Sequence, residues 1–353
     1  MDKIREQVPL APYTTFRVGG IAQYFSDIYH QEEIPPLVAH AQKHDTPIHI
    51  LGGGSNTIFT DGILNKHVFC MKESYIRIRH TDKSSIYIEI GAGTHWDEVV
   101  AWAVTHQYAG IEALSAIPGT TGAAPIQNIG AYGQEIKDTL VEICAYDTHA
   151  HTFISITNKQ CKFGYRTSIF KECARGRYII TSIVIQLSIH NVTAPTYPDI
   201  KEYFEKQNIH TPTPSQIRSA VQEIRFKKIP DPQKIPNAGS FFKNPIITQS
   251  QAQRLQKNYP TLKLFPVNRD LVKIPAGWLI EQCNLKGTTI GPIGIYEKNA
   301  LILTNTGSAT YQDIIYAKDS IQKKVFETFQ ITLEMEPDCI IEKHSQSSLF
   351  LKL

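Results

Sequence analysis

Ile117-Pro-Gly-Thr-Thr-Gly-Ala-Ala-Pro-Ile-Gln-Asn-Ile-Gly-Ala-Tyr-Gly133 is a long loop punctuated by Gly119, Gly122, Gly130 and Gly133. Two shorter glycine-rich turns precede it. Gly52-Gly-Gly-Ser-Asn56 follows the apolar run Pro47-Ile-His-Ile-Leu51, and Gly91-Ala-Gly93 follows the alternating run Ile86-Tyr-Ile-Glu-Ile90. Taken singly, each short turn reads as a hairpin or crossover bend. All three loops between Gly52 and Gly133 are hard to explain as bends alone. Glycine lets backbone N–H groups converge on a concavity, which suits a pyrophosphate. No GxxxxGK[ST] occurs, and no GxGxxG with an acidic residue about 20 positions on, so neither a P-loop nor a dinucleotide fingerprint is present.

The chain has 353 residues, more than one ordinary core accommodates, so two or three domains are expected. A hydrophobic content of 42% with 20% charged residues places it among globular proteins rather than disordered ones. The net charge is +3 and no basic run carries interleaved aromatics, which argues against nucleic acid as a partner. The first residues, MDKIREQVPLAPY, carry charges where a secretory leader needs its apolar core. No apolar run approaches the roughly 18–20 residues of a membrane helix, so a cytoplasmic protein is expected. Cys70, Cys144, Cys161, Cys173, Cys283 and Cys339 are scattered without CxxC or Cys/His ligand spacing, which predicts buried free thiols and no metal.

Helical periodicity is expected over 32–44 (Ile34, Leu37, Ala41), 95–107 (Trp96, Val99, Val100, Ala103, Val104), 215–224, 275–284 and 311–329 (Ile314, Ala317, Ile321, Val325, Phe329). The Asn-, Thr-, Pro- and Ser-rich stretch 190–215 reads as a linker. The fold class is therefore α+β with a separable C-terminal domain.

A second signature lies in that C-terminal part: Asn237-Ala-Gly-Ser-Phe-Phe-Lys-Asn-Pro245. Gly239 permits close backbone approach to a ligand, and Ser240, Lys243 and Asn244 supply a hydroxyl, an amine and an amide. Together with the Ile117–Gly133 loop it resembles the UDP-N-acetylenolpyruvoylglucosamine reductase (UDP-N-acetylmuramate dehydrogenase) family, flavoenzymes of peptidoglycan precursor synthesis. Within that family it is similar to the subgroup with a tyrosine loop. The likeness runs from Thr14-Thr-Phe16 to Glu336. It implies an FAD-binding domain of the vanillyl-alcohol oxidase/p-cresol methylhydroxylase type in two α+β subdomains, 1–75 and 76–200. It further implies an α+β substrate domain at 210–330 and a C-terminal segment, 331–353, carrying a catalytic glutamate. The implied cofactor is non-covalent FAD, with NADPH as co-substrate taking turns in the substrate cleft, and a monomer is expected.

The resemblance assigns flavin and diphosphate contacts to Leu51, Gly52, Gly53, Gly54, Ser55 and Asn56, and to Ile117, Pro118, Gly119, Ala123, Ala124, Ile126, Gln127, Asn128, Gly130, Ala131 and Tyr132. Ile180 and Arg225 join them. Some family members have two serines where this chain has Ala123-Ala124, so those hydroxyl donors are lost while the backbone N–H groups are expected to remain.

Reducing an enolpyruvyl C=C beside a carboxylate requires a hydride donor, positive charge where the dianion develops, and one proton. The resemblance gives these roles to three residues. Arg166, in Phe163-Gly-Tyr-Arg-Thr-Ser-Ile-Phe-Lys171, can clamp a carboxylate through two hydrogen bonds. Ser240 is the proton donor, with hydrogen bonding to flavin or substrate as the alternative. Glu336, in Leu333-Glu-Met-Glu336, competes with Glu334, which would share its face on a strand. A gap-free likeness through Phe329-Gln-Ile-Thr-Leu333 selects Glu336. Pro337-Asp-Cys-Ile340 departs from the family pattern and removes an N–H. Substrate contacts are implied for Tyr197 in Pro195-Thr-Tyr197, for Lys228 in Ile224-Arg-Phe-Lys-Lys-Ile-Pro-Asp-Pro232, and for Asn244, Lys286 and Asn299. A different FAD oxidase would lack the segment bearing Ser240. A non-catalytic sugar-nucleotide binder would have lost Ser240, Arg166 or Glu336.

Overall fold

The β-branched run Tyr178–Ser188 forms a strand of 11 residues, nearly all buried. It is the middle of a five-stranded antiparallel sheet in the order Thr152–Thr157, Leu140–Asp147, Tyr178–Ser188, Ser85–Gly91, Ile76–Thr81. Ile183 sits opposite Ile143 on one side and Ile90 on the other, so the central register stacks isoleucine on isoleucine. A second sheet, in the order Arg5–Pro9, Ile21–Ile28, Ile63–Met71, Ile48–Leu51, has parallel pairs on both sides of Ile63–Met71. Helix Ile34–Lys43 makes the crossover that such pairing needs, burying Ile34, Leu37, Val38 and Ala41.

A computed structural model describes residues 3–190, 192 and 197–342. The described chain divides into two units: residues 3–8, 21–54 and 63–226, and residues 9–20, 55–62 and 227–342. The division does not follow a single cut. Phe16, Val18 and Ile58 belong to the apolar core built by Phe241, Phe242, Leu279, Ile280 and Leu303. Strand Thr57–Phe59 also pairs in parallel with Asp338–Ile340.

The second unit has a sheet in the order Asn237–Ser240, Ile302–Asn305, Ile293–Ile295, Thr289–Ile290 and a smaller one from Ile246–Thr248, Leu271–Lys273 and Phe265–Pro266. Helix Tyr311–Phe329 lays Ile314, Ala317, Ile321, Val325 and Phe329 on its core, the stripe its periodicity predicts. A capping box starts it: Thr310 Oγ1 accepts the Asp313 N–H and Asp313 accepts the Thr310 N–H at 2.9 Å.

Two helices escape the sequence reading. Pro198–Lys206 lies inside the expected linker, opened by a proline at its first position. Its Ile200 and Phe204 pack with Ile217, Ala220 and Val221 of helix Pro214–Lys228. Gln249–Asn258 buries only Ala252, so it shows no apolar stripe, although Thr248 and Gln251 form a capping box at its start. Pro195 and Thr196 of the expected tyrosine loop lie outside the described residues. The cysteines are free but not uniformly buried: Cys173 is exposed, and Cys144 and Cys339 are intermediate. Among the described residues no helix is long and apolar enough to cross a membrane.

Thr310→Ala removes the cap of helix Tyr311–Phe329. The expected cost is about 1 kcal/mol, read as a lower thermal midpoint; an unchanged midpoint would show the cap to be idle.

Candidate active site

The glycine loops of the first unit meet. A Cβ on Gly53 would lie 2.9 Å from the Gly119 Cα, and one on Gly52 would collide with the Thr120 hydroxyl. A Cβ on Gly122 would lie 2.6 Å from the Ala92 Cβ. The three loops therefore approach at backbone distance, which only glycine allows here.

Their N–H groups are not used alike. The Gly91–Gly93 turn does not present its amides as expected: Gly91 donates to Tyr75 O at 3.0 Å, Ala92 to Thr181 O at 2.8 Å and Gly93 to Glu73 O at 2.8 Å. Its role is to brace the long loop, accepting the Gly122 N–H on Ala92 O at 2.9 Å. Nor do the amides of Ala123 and Ala124 remain for a diphosphate. They close a 3-10 turn onto Thr120 O and Thr121 O at 3.0 and 3.2 Å, a geometry hidden in the residue string. Among the described residues, Gly52, Gly53, Gly54, Gly119 and Thr120 donate their N–H to no protein acceptor. Beside them the Thr120 hydroxyl is buried with no protein partner. Buried polar groups in folded proteins are as a rule satisfied, and this donor cluster fits a diphosphate. Thr120 was not singled out from the sequence, where one threonine in a loop carries no signal.

The segment bearing Arg166 is stitched to the same loop. Asn128 Nδ2 donates to Gly164 O at 3.0 Å, Ser168 Oγ to Ile126 O at 2.6 Å and Arg166 Nη2 to Gly130 O at 2.9 Å. Arg166 has φ +55°, left-handed backbone that a non-glycine residue adopts only where its surroundings hold it. The Asn128 side chain is consumed structurally: it also donates to Glu135 Oε2 at 3.0 Å and accepts the Lys137 N–H at 3.2 Å. Arg225 has the Tyr132 phenol near it, with Asp97 and Arg166 as further charges around it. Burial lowers the Arg225 pKa and raises that of Tyr132 to about 12. Tyr197 packs edge-on to Tyr132 with ring centroids 5.4 Å apart. Leu51 and Ile180 are buried, Ile180 within the central strand opposite Ala145.

In the second unit Ser240 ends strand Asn237–Ser240, paired with Ile302. Gly239 has φ +71°, and Asn237 pins the bend by accepting the Gly239 N–H at 2.9 Å. Glu336 donates its backbone N–H to Phe241 O at 2.9 Å, next in chain to Ser240. Its own carbonyl accepts from Asn56 Nδ2 at 3.4 Å. Glu334 and Glu336 do not share a face. Glu336 is 8% exposed, whereas the Glu334 side chain is 71% exposed and pairs with Lys243. Strand alternation fails here because 331–337 pairs only through the bridge of Met335 to Phe242. Pro337 disturbs no ladder, since the parallel strand begins at Asp338, whose N–H donates to Asn56 O at 2.8 Å.

The remaining expected substrate contacts lie in the second unit, Asn244 and Asn299 both near the start of helix Ala276–Gln282. Asn244 Oδ1 accepts the Ala276 N–H at 2.9 Å at the start of helix Ala276–Gln282. Lys286 donates to Glu281 at 2.8 Å. Asn299 Oδ1 accepts the Leu301 N–H at 3.1 Å, and Lys228 is exposed at the end of its helix.

Amide-lined glycine loops with an adjacent arginine cluster define a binder of a diphosphate-bearing cofactor. The FAD binding domain family matches residues 27–148. The C-terminal domain of UDP-N-acetylenolpyruvoylglucosamine reductase matches residues 231–340. The reductase of that name from Flavobacterium johnsoniae is 39% identical over 96% of this chain and 100% of its own. The one from Dechloromonas aromatica is 40% identical over 94% and 97%. A solved reductase of this kind from Thermus caldophilus shares the fold with TM-score 0.66, at 23% identity over 95% of this chain and 99% of that one. The chain belongs to the UDP-N-acetylenolpyruvoylglucosamine reductase family, and is an FAD-containing oxidoreductase.

Gly53→Ala forces backbone against backbone. Such overpacking costs roughly 1–3 kcal/mol, so FAD affinity of the stripped protein is expected to fall by about tenfold or more, read by fluorescence quenching. Unchanged affinity would place the cofactor elsewhere. Glu336→Gln is expected to cut turnover far more than Glu334→Gln, whose carboxylate is solvated; the reverse ranking in steady-state assays would overturn the assignment.

Proposed function

We propose that the protein reduces the enolpyruvyl C=C of UDP-N-acetylglucosamine enolpyruvate to UDP-N-acetylmuramate with NADPH, as a cytoplasmic monomer in peptidoglycan precursor synthesis. The observation that carries this reading is the hydrogen bond from Glu336 N–H to Phe241 O. It ties a buried carboxyl to the strand end that presents Ser240.

FAD is held by the amides of Gly52–Gly54, Gly119 and Thr120, with Arg225 as the nearby cation. When bound and reduced, it supplies hydride from N5. The chain's own residues then have separate tasks. Arg166 holds the substrate carboxylate, and its guanidinium stabilises the dianion that forms as hydride adds. Ser240 gives its hydroxyl proton to the adjacent enolate carbon. A serine is a weak acid, so it serves only because the acceptor is strongly basic and the hydroxyl is already in place. Glu336 is the acid partner on the neighbouring backbone. Tyr197, Lys228, Asn244, Lys286 and Asn299 bind the sugar nucleotide, remote contacts that serve binding rather than hydride transfer. In this reading 1–75 and 76–200 are the flavin subdomains, 210–330 is the substrate domain, and the segment from 331 delivers Glu336.

Ser240→Ala is expected to leave flavin reduction by NADPH intact and to slow reoxidation by the enolpyruvyl substrate roughly 10²–10⁴-fold. Rapid mixing separates the two half-reactions; equal slowing of both would assign Ser240 to flavin positioning. Arg166→Lys keeps the charge but loses the two-point clamp, so substrate-driven reoxidation should collapse while NADPH still reduces the flavin. Near-normal reoxidation would remove Arg166 from the carboxylate.

A further inference from the structure

Asp97 has none of the roles above, yet it binds three parts of the first unit at once. It lies in the first turn of helix Trp96–Thr105, where the helix dipole favours a negative charge. Its Oδ1 accepts the Ala116 N–H at 2.6 Å. The same carboxylate receives both ends of the Arg218 guanidinium, Nη1 on Oδ1 at 2.6 Å and Nη2 on Oδ2 at 2.8 Å. That two-point geometry is the strong form of a charge-assisted pair, and the Arg218 side chain is only 14% exposed.

The two partners lead to the cofactor-binding residues from opposite directions. Ala116 has φ +57°, a left-handed conformation that costs an alanine roughly 1–2 kcal/mol. It directly precedes Ile117, Pro118 and Gly119. Arg218 stands on helix Pro214–Lys228 two turns before Arg225, on the same side of the helix. Burial pushes the Asp97 carboxyl up, but the Arg218 hydrogen bonds, the Ala116 N–H and the Arg225 charge together hold it below the usual carboxylate range. It is therefore charged at neutral pH, a counter-charge beside Arg225, itself close to Arg166.

We propose that Asp97 is a positioning residue for FAD: its carboxylate locks the start of the Ile117–Gly119 loop to the helix that carries Arg225, so that loop amides and guanidinium form one preset anion site. The inference rests on the reading that this loop and Arg225 hold the flavin diphosphate. Preorganisation of this kind raises affinity by removing the cost of ordering the site at binding. Because the link has two ends, breaking either should produce the same defect.

The test is FAD titration of flavin-stripped protein by fluorescence quenching, with thermal melting of the same apoprotein, for Asp97→Asn, Arg218→Gln and the double variant. Each single change is expected to raise the FAD Kd roughly tenfold, equivalent to about 1.4 kcal/mol. The double variant should be no worse than either single, since both act through one link. Asp97→Asn and Arg218→Gln should also alter the visible band of the bound flavin in the same way. Unchanged Kd with a lowered melting temperature would reduce Asp97 to a packing role and overturn the proposal, as would single effects that multiply. If Asp97→Asn does not fold, Arg218→Gln, which leaves the Ala116 hydrogen bond in place, decides alone. Wild-type apoprotein that takes up no FAD would overturn the cofactor reading itself, whereas normal wild-type uptake with unaltered variants overturns only the Asp97 role.

Discussion

Backbone meets backbone where Gly53 faces Gly119, at a separation that would leave a Cβ only 2.9 Å from the Gly119 Cα. Neither loop can shift without losing the other. That contact keeps the N–H groups of Gly52–Gly54 beside those of Gly119 and Thr120, and the buried Thr120 hydroxyl beside both. Unsatisfied donors in a protein interior cost about 1–3 kcal/mol each. Several such donors held together fit an anionic ligand that satisfies them, and a diphosphate is such a ligand. The third glycine turn braces this arrangement. Gly93 lets the chain pass against Lys72, and Gly122 lets the long loop lie on Ala92.

The second unit solves a different problem with the same economy. The segments bearing Ser240 and Glu336 are joined here, though they come from distant parts of the chain. Gly239 turns the strand, Asn237 pins the turn, and two inter-segment hydrogen bonds, Glu336 N–H to Phe241 O and Lys243 N–H to Glu334 O, set the spacing. Asn56 ties the far side of Glu336, and its own carbonyl starts the short parallel pairing at Asp338. The two aromatic residues after Ser240, Phe241 and Phe242, are fully buried, which anchors the hydroxyl-bearing backbone to the core.

Long motifs and strong periodicity were legible in the sequence; contact geometry was not. The Gly52–Asn56 and Ile117–Gly133 loops, the stripe of helix Tyr311–Phe329 and the strand Ser85–Gly91 follow from residue types and spacing, whereas the central strand Tyr178–Ser188 was not singled out. Helix Gln249–Asn258 was missed because a helix burying one alanine has no apolar period to detect. The amides of Ala123 and Ala124 were counted as donors because a residue string does not reveal a 3-10 turn. Glu334 and Glu336 were inseparable by alternation, which assumes a regular strand, and this segment departs from one. Asp97 drew no attention because its meaning lies in Arg218 and Ala116, far along the chain.

The most direct test of the account is the visible spectrum of the purified wild-type protein under anaerobic titration. Oxidised flavin absorbs near ~450 nm when bound as a cofactor. NADPH should bleach this band, and UDP-N-acetylglucosamine enolpyruvate should restore it with formation of UDP-N-acetylmuramate. A protein that carries no flavin band, or whose bleached band the enolpyruvyl substrate fails to restore, would contradict the central claim.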